Sequence, residues 1–174
     1  MAGKLLIVVI AVVVGVLVGV AVYVAVSAND NEPIGNDDGG NPDAKYWFYI
    51  DYREHASSTV KNGWYSSNDG ATASEGLVKA LDAKKISHNI DGIWIYSING
   101  VEPIYEVSQT SWFTWPWIEA ESKWQMTENL GLGEPGMTIF YVSISSFDAD
   151  NEYLPFFDPN TETGWKNKGP FATA

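Results

Sequence analysis

Leu5 to Val26 is an unbroken run of 22 residues with no charge and no proline. The apolar interior of a bilayer is crossed by about 20 helical residues. In lipid the backbone polar groups have to be satisfied within the segment, which predicts a helix despite its many β-branched valines. Lys4 flanks one end, and Asp30, Glu32, Asp37 and Asp38 follow the other. This asymmetry places the N-terminus in the cytoplasm and everything after Val26 outside it. A secretory signal has a shorter apolar stretch, about 7–15 residues, ending in small residues. Val26-Ser27-Ala28 offers such a site. The run is long for a signal, so an uncleaved single-pass anchor over residues 1–26 is the expectation. Both readings put the rest of the chain outside the cell membrane. Gly15 and Gly19 have the spacing that lets two membrane helices approach. Glycine is common in such helices, so a lone, glycine-tolerant anchor is the expectation.

Residues 27–44 read SANDNEPIGNDDGGNPDA, with Ile34 as the one large apolar side chain. Such a segment cannot pack a core and is expected to be a flexible acidic tether. Its 18 residues would span about 25 Å on average, which keeps the domain close to the membrane. All 22 acidic residues and nine of the ten basic ones follow the apolar run. That balance excludes sequence-blind nucleic-acid binding, which needs a basic surface. The absence of cysteine excludes disulfides, thiolate zinc sites and cysteine nucleophiles.

Residues 45–147 are expected to form the extracytoplasmic domain, and 148–174 an irregular tail partly pinned by Phe156, Phe157, Trp165 and Phe171. Tyr46 to Tyr52 is aromatic and β-branched on both faces, which predicts a central or helix-covered strand. Trp64-Tyr65 follows a turn signal at Asn62-Gly63. Thr72-Ala73-Ser74-Glu75 fits a capping box. Ala73, Leu77 and Leu81, with Val78 beside them, give one apolar stripe, so a helix is expected from there to about Ile86. Asn99-Gly100 between apolar runs predicts a tight hairpin after Ile93–Ile98. Trp112–Trp117 and Ser122–Met126 read as short strands, with Pro103 and Pro116 marking edges or breaks. Met137–Ile144 reads as a further strand. The fold class is α+β: a mostly antiparallel sheet with one packed helix, preceded by the transmembrane helix.

Catalytic motifs are missing: no Gly-x-Ser-x-Gly, no phosphate loop, no His-Glu-x-x-His and no dinucleotide fingerprint. His55 and His88 sit in polar sequence and read as surface residues. Glu119 and Glu121 would share a face if extended, as the paired carboxylates of a glycosidase do, but among 22 acidic residues such a pair arises by chance. Asp148, Asp150 and Glu152 alternate like calcium ligands. Tyr153 stands where an EF-hand requires glycine, so that motif is excluded. An acidic solvated loop is the expectation, with no metal and no cofactor.

The aromatic residues are the main anomaly. Trp112, Trp115, Trp117 and Trp124 lie close together in SWFTWPWIEAESKW. In a strand Phe113, Trp115 and Trp117 would share one face and Trp112 the other. One face would be core and the other would expose an aromatic surface able to bind flat ligands, sugar rings or proteins.

The order of these features resembles a known family. A strand leads to a helix of the type T-x-x-E-G-L-x-x-A-L, then Trp94-x-Tyr96-Ser-Ile-Asn99-Gly100-Val101, then a last strand after Gly136-Met-Thr-Ile-Phe-Tyr. This is similar to the transcobalamin C-terminal-like domain, a small β-rich module with one helix found in prokaryotic surface proteins. The resemblance covers roughly residues 46–146. It implies a ligand-binding surface module and not an enzyme; in the vitamin carriers the related domain helps enclose a corrinoid. The Trp-rich insertion after the Asn-Gly turn and the acidic tail depart from that pattern.

Sequence thus predicts a membrane-anchored, non-catalytic binding module for a small ring-shaped, corrinoid-like ligand or a glycan. Its aromatic platform would be Trp94, Tyr96, Trp112, Trp115, Trp117 and Trp124, with Asn99 serving the turn. The alternatives are a cell-surface interaction or adhesion protein meeting a protein partner, and, more remotely, a glycan-cleaving enzyme.

Overall fold

The computed structural model describes residues 43–146, 155, 157–161, 165 and 169–171. The apolar run, nearly all of the acidic tether and the Asp148–Glu152 loop lie outside the described residues. Among the described residues no helix is long and apolar enough to cross a membrane.

The elements follow in the order β1 (Tyr46–Asp51), β2 (Gly63–Ser67), α1 (Ala73–Ala83), β3 (His88–Asp91), β4 (Trp94–Ile98), a single helical turn α2 (Tyr105–Ser108), β5 (Thr110–Ile118), β6 (Lys123–Trp124) and β7 (Ile139–Ser146). Five strands form one sheet in the order β2-β1-β7-β5-β6, and β3 pairs with β4 in a separate hairpin. All pairings are antiparallel except β1 with β7, which runs parallel with Tyr49 opposite Tyr141. The architecture is α+β, as composition and periodicity predict. The parallel central pair carries no local sequence signal.

Both faces of the sheet are covered, which explains why β1 and β7 are apolar on both sides. One face carries Phe48, Ile50, Tyr65, Trp112, Phe140 and Val142. It packs against Ala73, Leu77, Ala80 and Leu81 of α1 and against Ile95 and Ile98 of β4. The opposite face is an aromatic layer of Trp47, Trp64, Trp115, Trp124 and Tyr141. Trp165, Phe157 and Phe171 from the C-terminal residues pack against that layer.

α1 begins as expected. Thr72 Oγ1 accepts from the Glu75 N–H at 3.2 Å, and Glu75 Oε2 accepts from the Ala71 N–H at 2.7 Å. Its end comes at Ala83, earlier than the predicted Ile86. The Ile86 N–H donates to the Leu81 carbonyl and the Lys85 N–H to the Asp82 carbonyl, while Lys85 takes φ 56°. This is a Schellman turn closed by Ile86 packing in the core beside Leu81. The apolar periodicity runs past the helix because the capping motif itself buries Ile86.

Asn99 and Gly100 have φ 53° and 73°, and Ile98 and Val101 exchange both backbone hydrogen bonds. The predicted type I′ turn forms. Its return strand is a single bridge at Val101, because Pro103 has no N–H to continue the ladder. β4 instead pairs with β3, a short polar strand that alternation does not reveal. The second Trp-rich strand shrinks from the expected Ser122–Met126 to Lys123–Trp124.

Candidate binding cleft

The six predicted platform residues do not form one surface. Trp112 lies on the α1 side of the sheet, buried, with its Nε1–H donating to the Val101 carbonyl at 3.3 Å. Trp115 and Trp124 are buried in the opposite aromatic layer, and Trp117 is half-buried there. Trp117 Nε1–H donates to Glu119 Oε2 at 2.7 Å. The alternation expected along β5 is therefore present. The exposed aromatic face expected from it is not, because Phe157, Trp165 and Phe171 cover it. Ring centroids in that layer sit 5.0 Å apart for Trp124–Trp165 and 5.2 Å for Trp117–Trp124, in edge-to-face geometry. These are core contacts.

Trp94 and Tyr96 behave differently. They alternate with buried Ile95 on β4 and stand 57% and 51% exposed. Ile104 and Tyr105, just beyond the hairpin, are also exposed, at 55% and 61%. Trp94 and Tyr105 line a cleft of about 200 Å³ together with Trp112, Phe113, Met126 and Leu130. The cleft unites two of the predicted residues, Trp94 and Trp112. Sequence reading missed Tyr105, Met126 and Leu130. The signal for Tyr105 was an apolar pair, Ile104-Tyr105, directly after a strand-ending proline.

The cleft is lined by rings and aliphatic groups, with the hydroxyls of Ser111, Thr114 and Tyr105 as its polar side chains. Thr114 Oγ1 is already engaged, donating to the Leu130 carbonyl at 2.7 Å and accepting from the Leu132 N–H at 3.3 Å. That clamp holds the 125–133 loop against β5. Such a lining offers stacking and apolar contact, with a few hydroxyls to orient a guest. No charged side chain is among its lining residues.

Other chemistry-bearing groups are tied up. Asp51 is buried and accepts from Tyr141 O–H at 2.5 Å, from Asn62 Nδ2 at 2.8 Å and from the Arg53 N–H at 2.8 Å. A carboxylate so satisfied pins β1 to β7 and the following turn. Glu119 and Glu121 lie in a 3₁₀ turn, not an extended strand. His55 is exposed, while His88 is half-buried with its Nδ1 3.0 Å from the Ile86 carbonyl oxygen. Among the described residues no group of three or more His, Asp or Glu side chains could hold a metal ion. Tyr52 and Tyr65 bury their hydroxyls side by side, where the two interact with each other and with no other hydrogen-bonding group. Burial pushes the Tyr65 phenol up to about 12 and the Tyr52 phenol higher still.

Comparison of the chain with family models, curated proteins and solved structures finds no match.

Proposed function

We propose that the protein is a membrane-anchored, extracytoplasmic, non-catalytic binding module whose ligand enters the cleft between Trp94 and Tyr105. The carrying observation is that two rings, each more than half exposed, line one apolar recess. Most large apolar groups of the domain are buried, so an exposed aromatic pair at a concave site costs solubility and marks an interaction surface. The anchor rests on the 22-residue apolar run and the charge asymmetry around it. The resemblance to transcobalamin C-terminal-like domains supports a binding role over an enzymatic one.

The size of the cleft narrows the ligand. Pockets for drug-sized molecules enclose about 300–1,000 Å³, and this one encloses about 200 Å³. That fits one ring of a larger ligand, such as a sugar of a glycan or a side chain of a partner, and not an enclosed corrinoid. The test is titration of the full chain in non-ionic detergent with chito-oligosaccharides, cobinamide and cobalamin, following the Trp94 indole N–H by NMR. Saturable shifts that weaken at least tenfold in Trp94→Ala support the reading. Binding of every probe unchanged in Trp94→Ala, or the absence of any shift at Trp94 and Tyr105, overturns it for these ligand classes.

A further inference from the structure

Among the described residues the exposed large apolar side chains are Trp94, Tyr96, Ile104 and Tyr105, each more than half exposed. They belong together. Trp94 and Tyr96 alternate with buried Ile95 and so share one face of β4. Trp94 and Tyr105 line the same cleft, and Ile104 adjoins Tyr105 in the chain. Tyr96 and Ile104 are not among the lining residues of the cleft. The apolar surface is therefore wider than the recess, and a guest in the recess leaves part of it uncovered. Apolar patches of this kind mark contact with a protein or a membrane.

The composition of the patch favours a membrane. Tryptophan and tyrosine pair an apolar ring with a polar tip, which suits the boundary between headgroups and hydrocarbon. No lysine or arginine lies between Lys85 and Lys123. The stretch that carries the patch thus has no base to hold an anionic headgroup, and its contact with a bilayer is apolar and aromatic.

The chain that precedes β1 brings a bilayer to this surface. Residues 27–44 separate the apolar run from Lys45, and these 18 residues would span about 25 Å. A domain of about 100 residues has a radius of gyration of about 13 Å. A tether of that reach keeps the domain beside the membrane at high effective concentration. The face it favours follows from where the tether joins. Lys45 and Tyr46, at the tether's end, line a recess together with Gly92 and Ile93, and Trp94 is the next residue of the chain. The root of the tether and the start of β4 meet in that recess.

We infer that the domain docks on the outer leaflet of the membrane that anchors it, with Trp94, Tyr96, Ile104 and Tyr105 set in the headgroup layer of zwitterionic phospholipid. The inference rests on the membrane anchor of the proposed function and not on the ligand of the cleft.

The experiment uses the full chain, labelled with 5-fluorotryptophan and reconstituted in phosphatidylcholine nanodiscs. Residues 1–44 contain no tryptophan, so every fluorine signal reports on the chain beyond the tether. Trp94→Phe identifies the Trp94 signal among the eight. Phosphatidylcholine spin-labelled near the headgroup should broaden that signal at least fivefold more than the median of the others, all of which are buried or half-buried. Tyr96→Ser combined with Ile104→Ser removes two exposed side chains outside the cleft and should cut the excess at least twofold; an unchanged fluorine spectrum without spin label shows that this variant is folded. Equal broadening of all eight signals in a chain that co-purifies with the disc overturns docking and leaves the anchor standing. An excess at Trp94 that the double variant retains also overturns docking, because exposure alone then accounts for it. A chain that does not co-purify with the disc overturns the anchor and the docking together.

Discussion

The side-chain amide of Asn160 takes, on Trp124, the place of a neighbouring strand. Its Oδ1 accepts from the Trp124 N–H at 2.7 Å and its Nδ2 donates to the Trp124 carbonyl at 3.1 Å. β6 is the last strand of the sheet, and the open edge that would otherwise face solvent is closed at this residue by one amide. Asp158 fixes the amide in turn, accepting from Asn160 N–H and Nδ2 at 2.9 Å. Asn160→Ala should cost about 2 kcal/mol, from two lost hydrogen bonds of about 1 kcal/mol each. Asn160→Asp should cost at least as much, since a carboxylate then faces the Trp124 carbonyl and Asp158. Urea denaturation followed by tryptophan fluorescence measures both; an unchanged midpoint in Asn160→Ala would mean that the amide contributes nothing.

Helix propensity and packing give opposite answers at Gly76. In a helix interior alanine is favoured over glycine by about 1 kcal/mol. A Cβ at Gly76 would stand 2.5 Å from the Tyr46 ring, which lies under α1. Packing governs here, because the ring is itself held in the core. Gly76→Ala should destabilise the domain by about 1–3 kcal/mol, where propensity alone would stabilise it. A rise in melting temperature would show that Tyr46 yields easily.

The opposite substitution is favoured at the end of α1. Lys85 occupies the left-handed position of the Schellman turn at φ 56°, and its side chain is exposed. A residue with a Cβ is strained there by about 1 kcal/mol, and glycine is not. Lys85→Gly should stabilise by a few tenths to about 1 kcal/mol, since glycine also gains freedom in the unfolded chain. Thermal denaturation of this variant beside Lys84→Gly, which has φ −98° and should lose stability, separates the local strain from a general effect of glycine.

The buried tyrosine pair makes stability fall in alkali. The Tyr65 phenol rises from 10.0 to about 12 in the folded protein because burial disfavours the phenolate. Between those values the unfolded chain has lost a proton that the folded chain keeps. Stability is then full below pH 10 and declines as pH rises, by about 1.4 kcal/mol per pH unit for each such tyrosine. Tyr65→Phe should remove one share of that slope. A pH series of melting temperatures from 8 to about 12 on both proteins checks this, and equal slopes would overturn the assignment.

Sequence made the local elements legible where one face or one motif defined them. The Thr72–Glu75 cap, the Leu77/Leu81 stripe and the Asn99-Gly100 turn each have a short-range physical cause, and each is found. The parallel pairing of β1 with β7 was not legible, because nothing local distinguishes a parallel from an antiparallel neighbour. β3 was hidden because His88–Asp91 alternates between half-buried and exposed positions and carries little apolar signal. The site divided along the same line. Alternation along β5 assigned the faces correctly, with Trp112 on one and Trp115 on the other. Whether a face is wet depends on what arrives from elsewhere, and here rings from about 40 residues downstream arrive on it. Trp94 and Tyr96 remained exposed because β4 belongs to a two-stranded hairpin with only one covered face.

The aromatic layer also dictates when this protein can become itself. β1 lies beside β7, and Trp64 Nε1–H donates to the Trp165 carbonyl across 101 positions of chain. Contacts of such separation form late and slowly, because a long loop has to close before any of them is rewarded. The rings of β1 and β2 that face this layer therefore stay uncovered until Phe157, Trp165 and Phe171 have been made.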